Sequence, residues 1–445
     1  MVTPARSIVA VLGVLALWCG SLACSSQTPT APTPTPERGT IVSTTPLGQL
    51  NAEQARAALA ERDIDVPVRN GVEAFRVEYR TIDPQGGQTS ATGLVVLPDT
   101  DNPRPRVVGY EHGTMSARAD APSVDASGED RARALMFAAS GYAAIAPDYL
   151  GLGEGPGFHP YAHAPSEASA SVDLLLAARA MAAQRQRELD PEVLVTGFSQ
   201  GGQAAMAFSR ALQEGQAPGF RLAAAAPVSG PFDIQHTELP AAFDGRVKPA
   251  SAVFYVAYWL TSMNRIYHLY DTPQEAFQEP SASKVEGLLD GTHDMLSIAL
   301  GLAITPRHLL TPRFVDLATH PTGAVLRAMT DSDNACDWSP KVPVRLYAAS
   351  GDRDVPYANS EACVRDLHAN TNAPVPPSPP SPPSRNDAAP STPTPTSPGP
   401  SGTVPNDSGQ QEITLNDLGN LDHTGTARTA MPKILDWFQQ LAPPA

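Results

Sequence analysis

The sequence predicts an α/β fold in which a mostly parallel, eight-stranded sheet is flanked by helices. Short aliphatic and β-branched runs alternate with helical patterns along most of the chain. Such alternation is typical of parallel sheets whose strands are joined by helical crossovers. One of these runs, 193–196, leads directly into Gly197-Phe198-Ser199-Gln200-Gly201, and an alanine-rich helical segment follows. A strand, a tight turn and a helix are therefore expected in succession at this point.

The individual elements follow from apolar runs bounded by turn residues and from helical periodicity. The predicted strands are 75–81, 92–97, 106–110, 142–147, 193–196, 222–228, 342–348 and 412–415. The predicted helices are 129–139, 166–188, 202–214, 357–369 and 426–441. Because the first two strands are close in sequence, we expect them to form an antiparallel hairpin at the edge of the sheet.

A long insertion separates the sixth and seventh predicted strands. It covers about 231–340 and contains two apolar runs, 251–260 and 295–302, of which the first is also rich in aromatic residues. We interpret it as a helical cap. Most of its apolar side chains should pack the cap onto the core, and some should line a pocket for an apolar group.

The turn at Ser199 has the pattern Gly-x-Ser-x-Gly. In a tight turn from a strand to a helix, the serine takes a strained backbone conformation and its hydroxyl points outward. Glycines at 197 and 201 allow the strand and the helix to approach each other closely. This context predicts that Ser199 is a nucleophile rather than an ordinary loop serine.

A serine nucleophile needs a base and an acid that orients the base. In this architecture the order along the chain is Ser, then Asp or Glu, then His. The predicted strand 342–348 runs into Gly351-Asp352-Arg353-Asp354, an acidic turn at the carboxyl end of the strand. We predict Asp354 as the acid, with Asp352 as the main competitor and Asp233 as a more distant one.

The same chain order selects the base. Of the ten histidines, only His368 and His423 follow the acidic turn. His368 lies in a predicted helix, whereas His423 lies in a loop between the last strand and the last helix. A histidine in that loop can reach the serine, so His423 is the predicted general base.

Two backbone N–H groups are expected to form an oxyanion hole. One belongs to Gln200, the residue after the nucleophile. The other should come from the loop after the third predicted strand, where Gly113 permits a close approach and Thr114 is the candidate donor. His112 precedes the nucleophile, so we interpret it as a structural residue of that loop.

These motifs together resemble the α/β-hydrolases, and more narrowly their secretory lipase and carboxylesterase branch. The resemblance covers about 75–440. The segments that carry it are His112-Gly113-Thr114, Ala146-Pro147-Asp148-Tyr149-Leu150-Gly151-Leu152-Gly153, Gly197-Phe198-Ser199-Gln200-Gly201-Gly202, Gly351-Asp352-Arg353-Asp354-Val355-Pro356 and Asp422-His423. It implies hydrolysis of carboxylic esters. A peptidase or acyltransferase of the same fold is an alternative, and so is a surface lipoprotein that binds without catalysis.

The amino terminus has the features of a targeting segment. Arg6 precedes an apolar run that is too short to span a membrane, and small residues follow it. We predict a signal peptide at 1–23 and lipidation of Cys24, in a setting that resembles a bacterial lipoprotein box, although Ser21 replaces the usual leucine. A Thr/Pro-rich tether at 24–46 would then connect a membrane anchor to a catalytic domain at 47–445, in an exported protein of the bacterial cell envelope. Without lipidation the protein would be secreted.

A second segment of low complexity lies between the acidic turn and the histidine loop. It contains thirteen prolines between Pro374 and Pro405. Such a segment buries too little apolar surface to offset its ordering entropy, so a disordered surface insertion is predicted at about 373–410.

The positions of the cysteines in the chain indicate different roles for them. Cys19 would leave with the signal peptide, and Cys24 is the candidate lipid site. Cys336 and Cys363 remain, and in an exported protein such a pair indicates a disulfide; two free buried thiols are the alternative.

Charge and composition exclude other classes of function. The formal net charge is −15 and the chain has no basic run, so a nucleic-acid partner is not expected. No Cys-x-x-Cys or His-Glu-x-x-His spacing is present, and we predict no metal site and no cofactor. The expected partners are a small-molecule or lipid ester and, through the anchor, a membrane.

Overall fold

A single sheet organises the chain. The computed structural model describes residues 37–372 and 412–444. Within these ranges nine strands pair in the order β1-β2-β3-β5-β4-β6-β7-β8-β9. The strands are β1 (Ile41–Leu50), β2 (Gly71–Ile82), β3 (Gln88–Asp99), β4 (Val107–Glu111), β5 (Ala143–Pro147), β6 (Glu192–Phe198), β7 (Arg221–Val228), β8 (Val344–Ala348) and β9 (Ile413–Asp417).

The sheet is mostly parallel, as predicted. All pairings from β5 through β4, β6, β7 and β8 to β9 are parallel, whereas β1–β2, β2–β3 and β3–β5 are antiparallel. All eight predicted strands are present, and the carboxyl ends of the parallel strands meet at one edge of the sheet. That edge is where ligands bind in open α/β sheets.

The ninth strand, β1, is a correction to the predicted eight. It covers the edge of the β2–β3 hairpin, so the hairpin is antiparallel but is not the outermost pair. It also takes up the last residues of the predicted tether. The run contains Pro46 and Gly48, and its pairing register shifts between them. A proline and an irregular register are tolerated on an edge strand. They also interrupt the alternation of apolar and polar residues, so the sequence pattern does not predict this strand.

Helices cover both faces of the sheet. The described ranges contain α1 (Ala52–Ala60), α2 (Glu129–Ala139), α3 (Ala164–Gln184), α4 (Gln200–Gln213), α5 (Leu239–Asp244), α6 (Pro249–Tyr267), α7 (Pro273–Ala276), α8 (Val285–Leu288), α9 (Met295–Gly301), α10 (Pro306–Leu309), α11 (Pro312–Thr319), α12 (Gly323–Asp333), α13 (Ala358–Asn372) and α14 (His423–Leu441). On one face α3, α4 and α13 form a core with the sheet, and on the other α1, α2 and α14 do so.

The alternation of side chains along the strands explains these two cores. In β6, Val193 and Val195 belong to the core under α3 and α4, whereas Leu194 belongs to the core under α2 and α14. All three side chains are fully buried. Strands that are apolar at every position, rather than at every second one, are expected when both faces of a parallel sheet are covered.

The predicted cap is a helical insertion between β7 and β8. It begins with a π-helical turn, Ile234–Glu238, continues through α5 to α12 and has a hydrophobic core of its own. Phe254, Tyr258 and Trp259 of α6 are buried in that core or at its border with the main domain. The aromatic run seen in the sequence therefore does pack the cap, as predicted.

A disulfide ties the end of the cap to the main domain. Cys336, just after α12, is bonded to Cys363 of α13, with Cα atoms 5.3 Å apart. The predicted pairing is confirmed. The strand β8 and the acidic turn lie between these two cysteines in the chain.

Other predictions fall outside the described residues. These are the signal peptide at 1–23, lipidation of Cys24, the tether as far as residue 36 and the whole of the insertion at 373–410. Within 37–372 and 412–444, no helix is both long and apolar enough to cross a membrane. The same ranges contain no cluster of three or more His, Cys, Asp or Glu side chains that could hold a metal ion.

Candidate active site

Ser199 lies in a strained turn between β6 and α4. Its backbone angles are φ 59° and ψ −124°, a conformation that residues other than glycine rarely adopt. The flanking glycines are required by close backbone contacts. A Cβ atom at Gly197 would lie 2.1 Å from the carbonyl oxygen of Gly201, and one at Gly201 would lie 2.0 Å from the carbonyl oxygen of Glu111. The predicted tight turn is thus present.

His423 stands beside the serine. It is the first residue of α14, and the helix is capped by Asp422, whose carboxylate accepts a 2.7 Å hydrogen bond from the Gly425 N–H. Nε2 of His423 lies 2.8 Å from Ser199 Oγ. Its ring also packs against the ring of Phe198, with centroids 4.5 Å apart. The structure therefore brings the predicted base to the predicted nucleophile.

The carboxylate that contacts His423 is Asp352, which corrects the prediction of Asp354. Asp352 Oδ2 lies 2.6 Å from His423 Nδ1. Its other oxygen, Oδ1, accepts hydrogen bonds from the backbone N–H groups of Asp354 at 2.9 Å and Val355 at 3.1 Å. Its side chain is only 1% exposed. These bonds fix the carboxylate with one oxygen aimed at the imidazole.

Asp354 points in another direction and holds the cap. It accepts hydrogen bonds from Lys248 Nζ and Ser251 Oγ, both at 2.5 Å, at the start of α6. Burial raises the pKa of Asp354, but the hydrogen bonds and positive charge around it outweigh burial and lower the pKa overall. Both aspartates occupy one short turn, so chain order could not separate them. The backbone of the turn decides which one faces His423.

The third candidate acid, Asp233, serves the start of the cap. Its carboxylate accepts a bond from the Thr237 hydroxyl at 2.6 Å and from the His236 N–H at 3.1 Å. It therefore caps the π-helical turn. The alternative histidine, His368, lies within α13.

Both predicted oxyanion donors border Ser199. Gln200 opens α4, where backbone N–H groups have no partner within the helix. The loop after β4 passes close to the serine, since a Cβ atom at Gly113 would lie 3.7 Å from Ser199 Cβ. Thr114 is the next residue, and its hydroxyl lies 3.1 Å from that of Tyr161. Donation from these two N–H groups to an oxyanion stays a prediction.

The loop histidine, His112, contacts backbone and an aromatic ring. Nδ1 lies 2.7 Å from the Gly113 carbonyl oxygen and Nε2 lies 3.2 Å from that of Asp148. Its ring packs on Tyr149, with centroids 4.2 Å apart. In the same motif, Asp148 accepts a 2.6 Å bond from Thr92 Oγ1. These contacts shape the loop, in agreement with a structural role for His112.

A buried polar network that no sequence motif predicted lies behind Gln200. Gln200 Nε2 lies 2.8 Å from Glu167 Oε1 and 2.9 Å from His159 Nε2. Burial raises the pKa of Glu167 to about 8 and lowers the pKa of His159 to about 3. Both groups are therefore mainly uncharged at neutral pH. They fix Gln200, the residue that carries the first predicted oxyanion donor, without placing a net charge beside Ser199.

An apolar cavity reaches from Ser199 into the cap. It encloses about 800 Å³, counting its open mouth. Cap side chains form most of its wall, and they are mainly aliphatic and aromatic, among them Leu239, Val256, Trp259, Leu260, Phe314 and Met329. The apolar pocket predicted for the cap is present. One end of an extended apolar group bound in it would lie beside Ser199.

Comparisons with known proteins bear on the fold. No protein-family model matches the chain, and no curated protein sequence matches it. The esterase LipA of Xanthomonas oryzae, which degrades the rice cell wall, is 24% identical, and the match covers 91% of this chain and 98% of LipA with a TM-score of 0.72. Candida antarctica lipase A in its closed state is 13% identical, with 91% of this chain and 82% of that one covered and a TM-score of 0.60. Likeness at these identities concerns the fold, and the fold of this chain is that of the α/β-hydrolases.

Proposed function

We propose that this protein is a serine esterase or lipase that hydrolyses carboxylic esters. One observation carries the proposal. A continuous line of hydrogen-bonding contacts runs from Asp352 to His423 at 2.6 Å and from His423 to Ser199 at 2.8 Å, and it ends at a strained serine that opens on the apolar cavity. A nucleophile, its base and an orienting carboxylate at such distances are the parts that acyl transfer requires.

The reaction follows from these positions. Ser199 Oγ attacks the ester carbonyl while His423 Nε2 accepts its proton, and Asp352 stabilises the imidazolium that forms. The N–H groups of Gln200 and Thr114 hold the negative oxygen of the tetrahedral intermediate. The intermediate collapses to an acyl-enzyme as His423 gives the proton to the leaving alcohol. Water then attacks the acyl-enzyme by the same steps, which releases the acid and restores Ser199.

The cavity favours esters over the rival substrates. Peptidases and acyltransferases use the same three groups, but a wall of aliphatic and aromatic side chains is suited to an apolar acyl or alcohol group. The similar solved structures described as an esterase and a lipase are consistent with this choice. A protein that only binds at the surface would have no need of the strained turn at Ser199, which costs free energy.

Hydrolysis of a chromogenic ester series of increasing acyl length tests the proposal. Ser199→Ala should lower turnover by at least about 10³-fold. Ser209→Ala, the same substitution at a buried serine farther along α4, is the matched control and should keep activity. Ester hydrolysis by the Ser199→Ala variant at the wild-type rate would contradict the proposed role of Ser199 as nucleophile. A sharp rise in rate once the substrate aggregates would indicate a lipase, and a short-chain preference an esterase.

Export and lipid anchoring are part of the same proposal. Support comes from the apolar amino terminus followed by small residues and Cys24. A labelled fatty acid fed to a bacterial host should enter the wild-type protein and the Cys19→Ser variant, but not Cys24→Ser. Equal labelling of all three proteins would contradict lipidation at Cys24.

A further inference from the structure

Two tyrosine hydroxyls contact the loop that carries Thr114, the second predicted oxyanion donor. The hydroxyl of Tyr161 lies 3.1 Å from Thr114 Oγ1, and the hydroxyl of Tyr258 donates a 3.1 Å hydrogen bond to the carbonyl oxygen of the next residue, Met115. Tyr161, Tyr258 and Met115 are buried. Two adjacent residues of the loop are therefore held from outside the loop, one through its side chain and one through its backbone.

The two tyrosines form a stacked pair that joins two parts of the protein. Tyr161 lies in the main domain, in the loop between β5 and α3, and Tyr258 lies in α6 of the cap. Their ring centroids are 4.4 Å apart and their planes differ by only 5°. Because buried side chains are close-packed, a shift of either ring would disturb both contacts with the loop.

Packing alone does not account for the two hydroxyl groups. A pair of phenylalanines would fill nearly the same space without burying a polar group. The hydroxyls instead reach a loop that passes close to the nucleophile, since a Cβ atom at Gly113 would lie 3.7 Å from Ser199 Cβ. Tyr161 also lines the cavity that opens at Ser199. The tyrosine pair therefore connects the wall of the cavity to this loop.

A loop that supplies an oxyanion donor has to be fixed before the reaction begins. The N–H group must lie about 2.7–3.1 Å from the position that the negative oxygen takes. A displacement of about 1 Å within an active site can cost about 100-fold in rate. Residues 112–117 belong to no helix or strand, so their position depends on contacts with neighbouring elements.

We propose that Tyr161 and Tyr258 are positioning residues for the oxyanion hole, and that their hydroxyls hold the Thr114 N–H where it meets the negative oxygen. The inference rests on the proposed ester hydrolysis and goes beyond it, because it gives the cap a part in the chemical steps. Through Tyr258, α6 acts on the rate of acyl transfer as well as on the shape of the cavity.

Removal of each hydroxyl tests the proposal on a short-chain chromogenic ester. Acylation and deacylation both pass through an oxyanion, so Tyr161→Phe and Tyr258→Phe should each lower kcat by about 10- to 100-fold and leave KM within about threefold of the wild type. Tyr267→Phe is the matched control. This hydroxyl also belongs to α6 and also joins the cap to the main domain, but its partners are His163, at 3.0 Å, and Asp331 rather than the loop. Both kcat and KM of the control should stay within about threefold of the wild type.

A transition-state analogue separates oxyanion stabilisation from substrate binding. Ser199 Oγ adds to the carbonyl carbon of a trifluoromethyl ketone, His423 takes the serine proton, and the carbonyl oxygen becomes the anion of a hemiketal. In Tyr161→Phe and Tyr258→Phe the inhibition constant of this ketone should rise by about the factor by which kcat/KM falls. Binding of the ester to Ser199→Ala should change less than about threefold when either substitution is added.

Thr114→Val tests whether Tyr161 acts through the Thr114 hydroxyl. The valine keeps the backbone N–H and removes the other half of the contact, so it should reproduce the loss seen in Tyr161→Phe. The double variant should then be no slower than the slower single variant, within about twofold. Losses that multiply in the double variant would show independent effects and would overturn the proposal. Thermal unfolding checks that each variant is folded at the assay temperature, and Thr114→Val reaches the same contact if Tyr161→Phe does not fold.

The remaining outcomes separate this inference from the proposed function. Unchanged kcat and unchanged affinity for the ketone in both phenylalanine variants would overturn the positioning role while ester hydrolysis stands. A rise in KM alone would also overturn it, since the tyrosines would then act only on substrate binding. Ester hydrolysis by Ser199→Ala at the wild-type rate would instead refute the proposed function.

Discussion

Replacing Asp352 by Asn tests the geometry of the site most directly. The asparagine can keep its Oδ1 on the backbone N–H groups of Asp354 and Val355, where the aspartate accepts bonds of 2.9 and 3.1 Å. Its NH₂ group must then face His423 Nδ1 in place of a carboxylate oxygen at 2.6 Å. The imidazole responds by accepting at Nδ1 and carrying its proton on Nε2. It can no longer take the proton of Ser199.

The expected loss is large because both tautomer and charge stabilisation are affected. Replacing the acid of a Ser-His-Asp triad by Asn lowers turnover by about 10⁴-fold. This corresponds to about 5 kcal/mol of transition-state stabilisation. Folding should change little, because the two bonds that hold Oδ1 are kept.

Asp354→Asn is the matched control in the same turn. It removes the ion pair with Lys248, whose side chain is 48% exposed, and such a pair is worth at most about 1 kcal/mol. Activity should stay within about tenfold of the wild type. The assay is kcat/KM on a short-chain chromogenic ester at pH 8, with thermal unfolding measured by circular dichroism for each variant. A loss in Asp354→Asn as large as that in Asp352→Asn would refute the assignment of the acid.

Three further predictions concern the disulfide, the turn at Ser199 and a buried carboxyl group. Cys336→Ser together with Cys363→Ser should lower the free energy of unfolding by about 3 kcal/mol, because the disulfide closes a loop with a sequence separation of 27. Urea unfolding measures the loss of stability, and an unchanged midpoint would contradict the prediction. Gly201→Ala places a Cβ atom 2.0 Å from the Glu111 carbonyl oxygen, so the turn at Ser199 must shift. We expect any folded protein obtained to have less than about 1% of wild-type activity, and a near-normal kcat would contradict this expectation. Burial raises the pKa of Glu111 from its ordinary value of 4.5 to about 8 in the folded protein. The contribution of this carboxyl group to the free energy of unfolding is therefore fully present below pH 4.5 and is lost as the pH rises toward 8. Glu111→Gln should therefore lessen the fall in urea stability between pH 5.5 and pH 8.5, and an unaltered slope would count against this account.

Much of the fold was readable from the sequence because its signals are local. Aliphatic runs bounded by turn residues located eight of the nine strands, and the helix predicted at 129–139 has the bounds of α2. β1 was missed because Pro46 and Gly48 interrupt its alternation. Its place in the sheet depends on pairing with β2, a contact that no local pattern records.

For the candidate site, the sequence by itself predicted the serine and the histidine that the structure brings together. Ser199 is marked by the glycines that a tight turn requires, and His423 by chain order, because the carboxyl ends of parallel strands bring their loops together. Only the tertiary structure decided that Asp352 rather than Asp354 meets the imidazole. The physical reason is that residue type and spacing predict which element a side chain belongs to. The direction in which that side chain points depends on backbone angles within a turn and on partners such as Lys248, which lies more than a hundred residues from Asp354.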